Sequence, residues 1–326
     1  MAILVGIDEA GYGPHLGPLV VAAAAGKFPG DAAGDPNLWG ALRGHVRKRP
    51  SGRSSRVVIC DSKVAYGGGN IATLERAVLG FLAAMDIRPS SLAEFLAVTA
   101  VSSGADQAGR AAPRPWDSPK RLALPAATQA EEIRTAAEHL AEGLARLGAA
   151  AAGLRVNVAA PARFNRLVQT TRNKASALFA LTADILTDLR TRWPHQPIHV
   201  TMDRHGGRRY YAGLLAAAFP MTRVEMLEEA RAVSRYRLHG GGSAAPVHLT
   251  VRTRCETWSL FTALASMAAK YVRELHMRQL NGYFQSLVPG LAPTAGYGRD
   301  AWRFLDDVAA ARKAAGVPDA AILRCR

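Results

Sequence analysis

Apolar residues follow two rhythms along the 326-residue chain: short unbroken runs early, and helical spacing that takes over later. Residues 2–8 form an apolar run closing on an acid, the pattern of a buried strand, and residues 16–28 form a second run with valines at its centre. A third run, 57–60, leads into Asp61, and three strands so close in sequence predict a meander. Ile71, Leu74, Val78 and Leu82 keep helical spacing between Asn70 and Met85. Residues 102–125 are rich in Ser, Gly, Pro, Ala and Arg and lack any period, which marks a loop or linker. Residues 126–147 predict a helix, with Glu131 and Glu132 near its start and Arg146 near its end, as the helix dipole favours.

The second half predicts a helix over 173–193, a strand over 197–203 ending on Asp203, a helix over 208–219 and a strand over 223–227. Two strand-like runs, 232–238 and 247–253, flank the sequence HGGGSAAP and predict a hairpin. Residues 256–280 read as a long, largely apolar helix and 300–315 as another, stopped by Gly316. Strands first and alternating strands and helices later predict one α/β domain over residues 1–326.

Composition narrows the partners. The chain is 49% hydrophobic and 21% charged, enough for a sizeable core and far from disorder. Lys and Arg exceed Asp and Glu by 41 to 26, a net charge of +15, so a polyanion is the first partner to test. Three cysteines (Cys60, Cys255 and Cys325) with no metal-type spacing argue against a disulfide scaffold or a zinc ribbon. No apolar run approaches the ~20 residues of a membrane span. The acidic pair Asp8-Glu9 comes too early for a signal peptide, so the expectation is a soluble, cytoplasmic protein with no membrane partner.

Candidate chemistry gathers on four acids placed where predicted elements end or begin: Asp8, Glu9, Asp203 and Glu256. Neighbouring side chains on a strand point to opposite faces, so Asp8 and Glu9 reach one centre only if the strand ends there. Gly11 and Gly13 supply such an ending. Clustered carboxylates repel one another unless cations neutralise them, which is the logic of a two-metal site. Mg²⁺ in particular takes a few carboxylates together with water and phosphate oxygens. Each acid taken alone reads more readily as a solvated strand end than as a metal ligand.

The segment GIDEAGYGPHLGPLVVAA (6–23) resembles the opening signature of the type 2 ribonucleases H, the ribonuclease HII and HIII family. Further segments resemble the family in the same order: ICDSK (59–63), FNRLVQTTRNKASALFALTADIL (164–186), VTMD (200–203), ALASMAAKYVRE (263–274) and AGYG (295–298). Glu256 stands ten residues before Ser266, where the family carries its fourth carboxylate, usually an aspartate. The resemblance spans nearly the whole chain. It implies a ribonuclease H-like fold, a five-stranded mixed sheet flanked by helices, with a C-terminal helical region over 256–326. It implies cleavage of the RNA strand of RNA–DNA hybrids to 5′-phosphate and 3′-hydroxyl ends. Asp8, Glu9, Asp203 and Glu256 would be the catalytic residues and would hold two ions, Mg²⁺ or Mn²⁺. Gly11, Tyr12, Gly13, Ser62, Lys63, Ser266, Lys270 and Tyr297 would hold the substrate.

The chain departs from the family pattern in three places. Gly11-Tyr12-Gly13 replaces Gly-Arg-Gly, the motif that with Tyr297 recognises the ribonucleotide 2′-hydroxyl, so poor cutting at a lone ribonucleotide is expected. Extra length falls in 102–153 as an insertion, an added helix and a loop whose Arg110, Arg114, Lys120 and Arg121 would grip phosphates. Arg204-His205-Gly206-Gly207-Arg208-Arg209 follows Asp203, where the family has a glycine. His205 reads either as an acid for the leaving oxygen or as a surface histidine. The run Gly67-Gly68-Gly69 lacks a following Lys-Ser/Thr and reads as a loop, and Trp116 reads as the least core-like tryptophan. Two other functions remain open: a non-catalytic nucleic-acid-binding protein of this fold, or a related nuclease with another nucleic-acid substrate. Retention of all four acids favours an enzyme, since a pure binder has no use for their repulsion.

Overall fold

The computed structural model describes residues 1–30, 37–50, 54–101, 114–117 and 122–325. Its strands are β1 (Ala2–Ala10), β2 (Leu19–Phe28), β3 (Val46–Arg47), β4 (Val57–Val58), β5 (Ala150–Ala159), β6 (Ile198–Asp203), β7 (Val224–Glu229), β8 (Val233–Leu238) and β9 (Val247–Arg252). Seven of them form one mixed sheet in the order β5-β2-β1-β6-β9-β8-β7. β1 and β2 pair antiparallel, from Ala2 opposite Phe28 to Ala10 opposite Val20. β6 runs parallel to β1 and β9 parallel to β6. The hairpin expected around HGGGSAAP is present as β8 and β9.

The sheet therefore has seven strands where five were expected, and the early meander does not form. The apolar run at Val57–Val58 leaves the main sheet and pairs in parallel with β3. The strand beside β2 is β5, whose sequence AAAGLRVNVA has neither alternation nor strong strand preference. It is a strand because β2 presents an open edge to it, with Leu19 opposite Ala159.

Strand alternation divides the core. Leu4, Val20, Ala22 and Ala24 face the helix Leu260–Leu287, together with residues of helices Ala72–Ala83 and Ala130–Ala145. Ile3, Val5, Ile7, Val21, Ala23 and Ala25 face the other way, onto the helix Lys174–Arg192. A third cluster joins Leu16, Phe284 and Phe304 to Trp116, which is 7% exposed and packs on Phe284, contrary to its sequence reading.

The helix Leu260–Leu287 crosses β1 at Gly6, the only residue type that admits it: a Cβ there would stand 1.9 Å from the Thr262 backbone nitrogen. Thr262 adds a side-chain hydrogen bond to the Thr201 carbonyl of β6 at 3.1 Å. The helix starts later than its apolar pattern suggests. Ser259 caps it, and Glu256 lies ahead in the separate turn Cys255–Thr257. Among the described residues no helix is long and apolar enough to cross a membrane.

Candidate active site

Parallel pairing of β1 with β6 sets the site. Ile7 lies opposite Met202, and both point into the core under the helix Lys174–Arg192. One step along, Asp8, two residues before the end of β1, stands beside Asp203 at the end of β6, on the face of the helix Leu260–Leu287. Ser266 of that helix hydrogen-bonds the Asp8 carboxylate, which also accepts the Glu9 N–H at 2.8 Å. Asp203 accepts the Arg204 N–H at 2.9 Å and backbone hydrogen bonds from Arg254 and Cys255, so the turn holding Glu256 is tied to it.

Glu9 occupies the other face. β1 runs on to Ala10, so the strand does not end at the acidic pair, and Glu9 projects toward Tyr12 and Tyr211, whose hydroxyls feel its charge. It still repels Asp8 and Asp203 around the end of the sheet. Asp8 and Glu9 thus start on opposite faces of the strand, yet their carboxyls come within hydrogen-bond reach of each other. Among the described residues no three His, Cys, Asp or Glu side chains stand close enough together to hold a metal ion.

Burial pushes the Asp8 and Glu9 carboxyls above the usual carboxylate range, and their negative neighbours push them further. Burial likewise raises Asp203 and Glu256, with Lys63 partly offsetting the shift at Glu256. A hard divalent cation meets an all-carboxylate donor set here, which suits Mg²⁺ or Mn²⁺ better than a thiophilic metal. Cys255 lies near, but its thiol donates to the Met202 carbonyl at 3.0 Å. Acids that hold protons tightly in the absence of cations are those a cation would deprotonate. The donor chemistry of the four acids suits such ions, while the described side chains do not gather three of them around one centre.

The expected substrate residues divide. Ser62 and Ser266 are buried and hydrogen-bonded to each other at 3.0 Å, and Lys63 stands exposed beside Glu256. Gly13 borders the ring of Tyr297, which is 46% exposed. Tyr12, however, turns away toward His205–Tyr210. Lys270 is already committed: its ammonium donates to Glu274 at 2.7 Å and lies 4.2 Å from the Tyr66 ring centroid.

Two arginines escaped the sequence reading. Arg273 is fully buried, donates to the carbonyls of Ala295 (2.9 Å) and Leu16 (3.3 Å), and underlies the Tyr297 ring. Gly11, at φ +88°, leaves room for it, since a Cβ would stand 2.8 Å from its side chain. Arg324, 3% exposed, binds the carbonyls of Gly11 and Tyr12. No local pattern marks either one, because both act across long stretches of chain.

Two expectations fail. His205 is 2% exposed and so is no surface residue. Burial, aided by Arg208, lowers its pKa to about 3, which also removes it as an acid at neutral pH. Arg114 is paired with Asp117 at 2.7 Å and does not reach out for phosphate. Arg110, Lys120 and Arg121 lie outside the described residues.

The chain matches no family model and no curated protein. Among solved structures it is similar to the PCNA–ribonuclease HII complex from Archaeoglobus fulgidus. The identity is 16% over 99% of this chain and 94% of that one, with a TM-score of 0.43. It is similar to ribonuclease H2 from Pyrococcus horikoshii at 14% identity over 98% and 92% of the two chains, with a TM-score of 0.46. It is also similar to Bst ribonuclease HIII in complex with Mn²⁺, at 16% identity over 94% of this chain and 62% of that one, with a TM-score of 0.41. These three neighbours are ribonucleases of the HII and HIII types.

Proposed function

We propose that this chain is a divergent type 2 ribonuclease H, a metal-dependent endonuclease that cuts the RNA strand of RNA–DNA hybrids. The observation that carries the reading is the placement of Asp8 beside Asp203 at the ends of adjacent parallel strands, with Glu256 within electrostatic reach. The ordered motifs and the net charge of +15 support it.

Asp8, Glu9, Asp203 and Glu256 would hold two ions, Mg²⁺ or Mn²⁺. Bound there, the ions would activate water and stabilise the leaving 3′-oxygen. Ser266 orients the Asp8 carboxylate, and the N–H groups of Arg204, Arg254 and Cys255 fix that of Asp203. Lys63, whose charge Glu256 feels, would meet a phosphate there, and Tyr297 beside Gly13 would border the sugar. In this reading residues 1–326 act as one unit, with an insertion at 102–153. The three free cysteines accord with a reducing, cytoplasmic setting.

A gel assay with Mg²⁺ or Mn²⁺ tests it on four substrates: continuous hybrid, a lone ribonucleotide in duplex DNA, DNA and duplex RNA. Wild type should cut the hybrid to 5′-phosphate ends and cut the lone ribonucleotide poorly, and Asp8→Asn should cut neither. No cleavage by wild type, or equal cleavage by Asp8→Asn, overturns the reading.

A further inference from the structure

A cleft of about 440 Å³ opens on the Glu9 side of the sheet, walled by Tyr12, Asn173, Ala175 and the run from His205 to Tyr210. Several arginines elsewhere meet carboxylates, as Arg155 meets Asp188 and Arg303 meets Asp300, and Arg324 meets backbone carbonyls. Arg208 and Arg209 both line the cleft, and among the described residues neither guanidinium pairs with a carboxylate. Arg208 donates to the Ser176 hydroxyl at 3.1 Å, while its Nε is buried without a partner.

The rest of the wall is polar or flat. His205, almost wholly buried, is one of the lining residues, and its buried Nδ1 has no hydrogen-bond partner among the described residues. Asn173 caps the helix Lys174–Arg192, whose N-terminal end adds positive potential. The Ala175 and Ser176 N–H groups already bond the Asn173 side chain at 2.9 and 3.1 Å, so the arginines would make the direct contacts. Tyr210, 64% exposed, and Tyr12 offer ring faces.

The position relates the cleft to the acids. The Tyr12 hydroxyl feels Glu9 and Arg208 together, so the Arg208 side of the cleft lies near the acidic group. A polyanion approaching those carboxylates meets repulsion, and two uncompensated guanidiniums alongside give it an anchor.

We propose that this cleft is a phosphate subsite. It holds a backbone phosphodiester of the bound nucleic acid, away from the scissile bond and on the Glu9 face of the sheet. The assignment of the strand rests on the nuclease reading above, while the anion chemistry is the cleft's own.

Binding in EDTA tests it without any need for catalysis. Anisotropy of a labelled RNA–DNA hybrid with the full chain, across a salt series, compares wild type with Arg209→Gln, Arg208→Lys and the double variant Arg208→Gln/Arg209→Gln. Two lost phosphate contacts should weaken binding tenfold or more and flatten the slope of log affinity against log salt by about 2. Arg208→Lys should keep most of the slope. Arg209 is exposed, so Arg209→Gln reads the subsite even if the double variant misfolds, and it alone should lower the slope by about 1. Unchanged slopes in Arg209→Gln and in a folded double variant overturn the subsite, as does a wild type that binds no hybrid. Displacement of hybrid by micromolar inorganic phosphate would overturn the assignment to a strand. Arginine-dependent binding without cleavage under Mg²⁺ or Mn²⁺ would support the subsite and reject the nuclease. Cleavage with an unchanged slope would do the reverse.

Discussion

The guanidinium of Arg324 donates to the backbone carbonyl of Tyr12 at 2.9 Å, closing a contact across 312 positions of sequence. Around it the C-terminal segment is stitched to the start of the chain: Arg324 N–H donates to the His15 carbonyl at 2.9 Å, and Leu323 bridges Leu16. Asn165 ties the same segment from the other side, to Leu323 and Cys325. The Gly11–Gly13 turn is therefore held by the far end of the protein. Arg324→Ala should cost about 1.5–3 kcal/mol in urea unfolding, the worth of a hydrogen bond to a charged group. It should also raise KM for hybrid more than it lowers kcat. A variant with wild-type stability would show the clasp to be idle.

Asp8 opposes folding when no cation is present. Burial makes its carboxyl hold a proton more tightly in the folded than in the unfolded chain, so its ionisation withdraws stability as pH rises above the usual carboxylate range. In EDTA at pH 8, Asp8→Asn should be more stable than wild type by on the order of 1 kcal/mol, and the gap should close at pH 4. The same variant should lose cleavage. Urea unfolding at the two pH values checks it, and a less stable Asp8→Asn at pH 8 would contradict the electrostatic account.

Gly6→Ala should be damaging although it adds one methyl group. The new Cβ would meet the backbone of Phe261 and Thr262 at 2.1 and 1.9 Å, where no rotamer change can relieve the clash. The helix Leu260–Leu287 must then lift from β1, at about 1–3 kcal/mol or more, and carry Ser266 away from Asp8. Thermal unfolding reads the first effect and hybrid cleavage the second. Gly282→Ala, which meets nothing within 4 Å, serves as the control in the same helix.

His276 predicts an acid limb of stability. Burial lowers its pKa to about 4 from an ordinary 6.5, and its Nδ1 lies 2.9 Å from the Val272 carbonyl. Between those pH values the unfolded chain takes up a proton that the folded chain refuses, so stability falls as pH drops from 6.5 toward 4. The loss should reach on the order of 3 kcal/mol. His276→Gln, with no proton to gain, should flatten that limb, and an unchanged limb would place the titration elsewhere.

Local order was legible without the structure. Apolar periodicity located the helices now seen at Ala72–Ala83 and Lys174–Arg192 and the hairpin of β8 and β9, because burying one face imposes its period on the residues themselves. The four acids stood out because each falls at the end or start of an apolar element. Pairing decided the rest. β5 is a strand only because β2 has an edge to fill, and the run at Val57–Val58 found β3 instead of the main sheet. The register of β1 on β6 brings Asp8 beside Asp203, and a strand that continues to Ala10 starts Glu9 on the opposite face, from which its carboxyl still reaches Asp8. Burial of His205, Arg273 and Arg324 was equally beyond reach, since each is enclosed by segments distant in sequence. A sequence records what each residue prefers locally, whereas charge, protonation and access at a site depend on which distant elements pack against it.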